Sequence, residues 1–359
     1  MKTGIVFSSS YLHHQQSETH PERVERLSYT MDQFIEEGIF DLPEIVLIPP
    51  KKATRSEVLS VHTDKYLSFL EEASVTGGMI DIDTRIPPGL IGDALIAAGG
   101  AISGADAVLN QDVRNVFVLC RPPGHHAGPD RGAGFCYLNN AAIAVRHLQR
   151  RGMRRIMILD WDAHHGNGTQ EIFYRDPSVL FLSVHQYPFY PGSGQIDEIG
   201  KDEGAGYSVN MPVHAGSSDQ VYSYLLGEII LPLAENFQPD CIVISAGQDN
   251  HFTDPLTGLA LTARGYAGLM HEMTILADTI CFGRLVVILE GGYSVEGGLP
   301  YTNLGIIAAL AGLDLSSIRE PEILHDLLNR SISEMAMPGA IRMAADLKKT
   351  LRPYWNCFG

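Results

Sequence analysis

The stretch RIMILDWDAHHGNGTQ, residues 155–170, decides the fold class. Arg155–Asp160 is a nearly unbroken apolar run rather than an alternating one, the pattern of a strand covered on both faces. It ends at Asp160, and Trp161, Asp162, His164, His165 and Asn167 then crowd into the following turn. Comparable runs stand at Gly4–Phe7, Ile45–Ile48, Val116–Cys120, Val179–Val184, Cys241–Ser245 and Leu285–Glu290. Helical spacing fills the intervals at Glu22–Glu36, Ile91–Leu109, Asn140–Arg151, Asp219–Asn236 and Thr262–Asp278, with Thr262 placed to cap the last of these. Strands alternating with helices predict an α/β chain built on a doubly wound, mostly parallel sheet.

With no repeat, linker or charge block, residues 1–359 read as one domain, with a motif-bearing core over about residues 1–310 and peripheral helices from about Ser316. Hydrophobic residues make up 45% and charged ones 19%, enough to bury a core and to exclude global disorder. The net charge of −16 argues against a nucleic-acid partner, which calls for a basic patch. The five cysteines, Cys120, Cys136, Cys241, Cys281 and Cys357, form no CxxC pair. Only four apolar residues follow Lys2 and Thr3, too few for a signal peptide. Together these predict a chain of the reducing cytoplasm. No stretch reads as the roughly 20 apolar residues of a membrane span.

Ligands of doubly wound sheets bind beyond the carboxyl ends of the strands. Four predicted strands carry polar sequence there. Val116–Cys120 leads to His125 and His126, Arg155–Asp160 to Asp162 and His164, Cys241–Ser245 to Gln248 and Asp249, and Leu285–Glu290 to Tyr293. Asp162 and His164 stand two apart on an extended segment, so both side chains point the same way. Asp249 supplies a third ligand. Two oxygens and one imidazole nitrogen suit a catalytic zinc with an open position for water, and the set also tolerates Fe(II), Mn(II) or Co(II). A single Asp after a strand is more often a cap or turn residue, but Asp-x-Asp-x-His-His with Asp249 favours a metal. Asp160 then orients the ligands or the histidines from behind.

His125 and His126 suit general acid/base work beside such a metal, because imidazole titrates near neutral pH. Tyr293 follows Gly291 and Gly292, whose freedom lets a phenol approach the metal and donate to an oxyanion.

These residues closely resemble the histone deacetylase family, which shares its arginase-like fold with acetylpolyamine amidohydrolases and acetoin-utilisation deacetylases. The resemblance rests on HPERVERL (20–27), RPPGHHAGPDRGAGFCYLNNAAIA (121–144), ILDWDAHHGNGTQ (158–170), YPGSG (190–194), ISAGQDNH (244–251) and LEGGY (289–293). DWDAHHGNGTQ and LEGGY look like the class II branch and its bacterial and archaeal relatives. The resemblance implies that Asp162, His164 and Asp249 hold zinc, that His125 and His126 are the acid/base pair, and that Tyr293 donates to the tetrahedral intermediate. It further implies Phe135 and Tyr190 as walls of an acyl-lysine channel and Asp83 as a carboxylate for the substrate backbone. Asp160 and Ser183, with main-chain oxygens of Asp162, His164 and Val184, match a structural potassium site.

Two positions depart from the wider family pattern. Asn167 replaces the Asp of class I enzymes beside the second histidine, so His126 should hold less positive charge and act as base. Gln248 stands where an apolar residue such as Phe is expected, and an amide there bears on the acyl group accepted. The expected activity is hydrolysis of N-acetyl groups on lysine side chains or polyamine-like amines. Two alternatives stand beside it: a binuclear manganese hydrolase of ureohydrolase type, with Asp249-x-His251 joining Asp162-x-His164, and a non-catalytic acyl-lysine-binding protein. Oligomeric state is not legible in the sequence.

Overall fold

A computed structural model describes residues 2–17, 19–318 and 325–359. Ten strands occur among them: β1 (Thr3–Val6), β2 (Ile45–Ile48), β3 (Gly78–Met79), β4 (Arg85–Ile86), β5 (Asn115–Val118), β6 (Ile156–Asp160), β7 (Val179–Gln186), β8 (Ser208–Val213), β9 (Cys241–Ala246) and β10 (Leu285–Leu289). Eight form one sheet in the order β2-β1-β5-β10-β9-β6-β7-β8, and every pairing in it is parallel. β3 and β4 make a small antiparallel hairpin apart from it. Every residue of β1, β5, β6, β7, β9 and β10 is buried, as expected of strands covered on both faces. The α/β, doubly wound, parallel architecture agrees with the reading of the sequence.

The four strands whose ends carry the polar motifs, β5, β10, β9 and β6, are consecutive neighbours at the middle of the sheet. Their loops therefore meet over one edge.

Three features differ from expectation. β8 was not legible, because Ser208–Val213 interrupts its apolar residues with Asn210 and Pro212; it lies at the sheet edge, where a missing N–H costs little. The helix expected over Asp219–Asn236 is broken by a π turn at Leu226–Ile230. Pro232 explains this, since it has no N–H to return to the carbonyl four residues back. Finally, helix Leu90–Leu109 is long and apolar enough, by length and composition, to cross a membrane. This corrects the expectation that no stretch approaches that length. It packs against β1, β5 and β10, with 67% of its apolar window buried inside the fold.

Thr262 caps helix Ala263–Cys281 as expected, its hydroxyl accepting the Gly265 N–H at 2.9 Å. Of the expected peripheral tail, helix His325–Leu351 packs on β8 and helix Asp219–Leu225, while residues 319–324 lie outside the described residues.

Candidate active site

Asp162 and His164 leave the end of β6, and Asp249 follows β9. One donor atom from each lies within 4.8 Å of the other two. Both carboxylates are fully buried, a costly arrangement unless a cation sits between them. Each turns one oxygen to a main-chain N–H of another loop or turn, and Asp162 Oδ1 also accepts the His164 N–H at 2.9 Å. Asp162 Oδ2 accepts the Gly291 N–H at 2.8 Å, and Asp249 Oδ1 accepts that of Ala163 at 2.8 Å. The remaining oxygens, Asp162 Oδ1 and Asp249 Oδ2, lie 3.1 Å and 3.0 Å from His164 Nδ1. Burial works against charge on His164, but the two carboxylates prevail and raise it to about 10. Burial and the Asp162 charge push Asp249 up to about 6. Two anionic oxygens and an imidazole nitrogen facing one small space fit a divalent cation. Gly291 is required beside it, since a Cβ there would stand 2.4 Å from Asp249 Oδ2.

His125 and His126 lie on the turn after β5. His125 Nδ1 donates to Asp160 Oδ2 at 3.0 Å, and His126 Nδ1 donates to Asn167 Oδ1 at 2.8 Å. Both rings thereby carry their proton on Nδ1 when neutral, leaving Nε2 with a free lone pair. Their environments differ. Burial disfavours charge on His125, but Asp162 and Asp160 overcome it and hold its pKa well above the usual value. Burial, with the positive charges of His125 and His164, drives His126 well below. Glu290, at the end of β10, anchors this turn by accepting the N–H groups of Gly124 at 2.7 Å and His125 at 3.1 Å. Its proximity to His125 and Cys136 is accounted for by that anchoring.

Tyr293 is 8% exposed, and its ring meets Phe135 edge-on at 5.9 Å. Beneath it lies a buried ion cluster that the sequence did not disclose. Arg26 Nε donates to the Gly292 carbonyl at 2.6 Å, its guanidinium also reaches the Glu290 carbonyl, and Arg26 Cζ lies 4.9 Å from the centre of the Tyr293 ring. Glu22 neutralises Arg26 at 3.1 Å and receives a two-pronged bond from Arg121 at 2.5 and 2.8 Å. The i, i+4 spacing of Glu22 and Arg26 in HPERVERL was the available signal.

A channel of about 410 Å³ leads to these groups. His125, His126, His164, Gly291 and Tyr293 line it together with Phe135, Tyr190 and Asp83. His20, Phe189 and Leu256 also line it and were not anticipated. His20 Nδ1 accepts the Glu22 N–H, so its Nε2–H is the donor to the Asp83 carbonyl at 3.1 Å. Phe135 adopts a left-handed backbone, φ 67°, and its N–H donates to Thr84 Oγ1 at 3.0 Å. Gln248 is not on the channel wall. Its main chain bonds Gly291, its Cβ packs against Gly292, and its amide is 1% exposed with no hydrogen-bond partner. It was expected along the substrate channel, with a bearing on the acyl group accepted, and it is not among the residues lining the channel. A second cavity of about 480 Å³ lies beyond Asn167, but its Arg131 and Arg175 are already paired with Glu171 and Asp202.

Asp160 and Ser183 are register partners on β6 and β7, both fully buried. Next along β7, Val184 is 1% exposed.

Residues 20–302 match the histone deacetylase domain. The chain is 58% identical to a probable deacetylase of Archaeoglobus fulgidus over the full length of both. It is 38% identical to a histone deacetylase-like amidohydrolase of Pseudomonas aeruginosa, covering 89% of this chain and 81% of that one. A solved structure of the HDA15 HD domain superposes with a TM-score of 0.87 at 32% identity, over 99% of this chain and 97% of the other.

Proposed function

The chain belongs to the histone deacetylase family, and on that premise we propose that it removes acetyl or similarly short acyl groups from lysine side chains or polyamine-like amines, with one zinc ion held by Asp162, His164 and Asp249. A deacetylase or amidohydrolase acting on an acetylated amine follows from the family itself. One observation carries the finer reading: His164, whose ring joins buried Asp162 and Asp249 in one cluster of donor atoms, lines the same channel as His126, with its free imidazole Nε2, and the Tyr293 phenol.

When bound, the cation polarises the acyl carbonyl and acidifies a water molecule. The chain does the rest. Phe135 and Tyr190 hold the acyl-bearing stem, and Asp83 faces the part of the substrate left at the mouth. His126, kept neutral and with its lone pair on Nε2, takes a proton from the attacking water. Tyr293 donates a hydrogen bond from its hydroxyl to the oxyanion that develops on the acyl oxygen. His125, oriented by its bond to Asp160, gives a proton to the departing amine.

Zinc is the metal proposed, and Fe(II), Mn(II) or Co(II) suit the same donors. His251 weighs against a binuclear manganese site, because its Nδ1 is engaged by Thr253 Oγ1 at 2.8 Å and it stands outside the ligand cluster. Potassium is proposed behind the site. The Ser183 hydroxyl donates to His185 Nδ1 at 2.9 Å, which leaves its own lone pairs for a cation beside Asp160. Five unpaired cysteines support a reducing compartment.

The test is turnover against acetyl-lysine peptides, acetylpolyamines and longer acyl-lysines. Release of the free amine from acetylated members is expected; inertness towards all of them by metal-loaded protein would overturn the proposal.

A further inference from the structure

Gly291 and Gly292 precede Tyr293, and Gly292 sits at φ 122°, in the region open to glycine. Two adjacent glycines give the following peptide unit freedom to rotate, which would swing the Tyr293 phenol. Yet that one peptide unit is gripped at both of its polar atoms. Its carbonyl, on Gly292, accepts from Arg26 Nε at 2.6 Å. Its N–H, on Tyr293, donates to Asp254 Oδ2 at 2.7 Å. A guanidinium holds the oxygen and a carboxyl oxygen holds the hydrogen, each in the sense of the peptide dipole.

Asp254 does more than close this clamp. Its other oxygen, Oδ1, accepts the Leu256 N–H at 2.9 Å, and its own N–H donates to the His251 carbonyl at 2.8 Å. It is 7% exposed. Leu256 and Tyr293 both line the channel, from the loops after β9 and β10. One carboxylate therefore fixes the separation between the phenol and a wall against which the substrate rests. Burying a carboxylate is costly, and a turn residue that caps a single main-chain N–H needs only a hydroxyl, which cannot hold both the Leu256 and the Tyr293 N–H groups.

We propose that Asp254 is a positioning residue for the reaction, setting the Tyr293 hydroxyl relative to the channel by clamping the Gly292–Tyr293 peptide unit against Arg26. This rests on the oxyanion role of Tyr293 and extends it. Small displacements of a reacting group cost rate rather than binding.

The experiment is a double-mutant cycle on the full, metal-loaded chain with an acetyl-lysine peptide. Asp254→Asn keeps the shape but turns an N–H of its own toward one of the two donors. It is expected to lower kcat about tenfold with KM moving less than about threefold and metal content unchanged. In a Tyr293→Phe background the same substitution should change kcat less than about twofold, because the group it positions is gone. Equal losses in both backgrounds, or no loss in the first, would overturn the role of Asp254 alone. Should Tyr293→Phe itself leave kcat intact, the oxyanion reading falls and this proposal falls with it. If Asp254→Asn does not fold, Asp254→Ser, with one acceptor in a smaller side chain, goes through the same cycle with the same expectations.

Discussion

His126 Nδ1 donates to Asn167 Oδ1 at 2.8 Å, across a separation of 41 residues. A neutral amide at this position fixes the tautomer without favouring the imidazolium, and burial holds the His126 pKa well below 6.5. The base form therefore survives below pH 6.5. Asn167→Asp places a carboxylate at the same Nδ1–H, stabilises the charged ring and raises its pKa. The acid limb of the kcat/KM profile should move to higher pH in this variant. An unshifted limb would show that His126 is not the base.

Asp249→Ala removes one of three converging donors and should abolish activity through loss of metal. Elemental analysis after desalting checks this. A variant that retains a full equivalent of metal would demote Asp249 to a turn residue.

Tyr293→Phe deletes one oxygen and leaves the packing against Phe135 in place. If the hydroxyl donates to the oxyanion, kcat should fall by about a hundred- to a thousand-fold, about 3–4 kcal/mol, with KM little changed. A change of only a few-fold in folded, metal-loaded protein would mark an aromatic of no chemical consequence.

His62 makes a separate prediction for stability. Its Nδ1–H donates to the Gly128 carbonyl at 2.9 Å, and its Nε2 accepts the Asn139 N–H at 2.9 Å, bracing the segment that follows His125 and His126. Burial lowers its pKa to about 4. The folded value lies below the unfolded one of about 6.5, so the unfolded chain takes up the proton first. Stability is full above about pH 6.5 and declines as pH falls towards 4, by on the order of 3 kcal/mol in all. Denaturant unfolding across this range should show a shallower decline for His62→Gln than for the parent chain. Parallel curves would exclude His62 as the source.

The fold was legible because burial on both faces writes itself as unbroken apolar runs, as at β6 and β9. Asp162, His164 and Asp249 were legible because strand ends focus polar residues, and β6 and β9 are direct neighbours. Arg26 and Asp254 were not. Their partners lie 266 and 39 residues away, and no periodicity records a bond from a side chain to a distant main chain. Gln248 was misplaced for a related reason. It precedes Asp249 in sequence, but its main chain bonds Gly291 and its side chain packs against Gly292. The edge strand β8 escaped because an edge tolerates the Asn and Pro that a central strand excludes.

The chemistry proposed for this chain is acyl-amine hydrolysis at a site holding a single metal. Zinc titrated into chelator-treated protein, with acetate release from an acetyl-lysine peptide and an acetylpolyamine followed in parallel, tests it most directly. Activity on at least one substrate should rise linearly to one equivalent per chain and then level off. Activity that appears only beyond a second equivalent, or no acetate release at full occupancy, would contradict it.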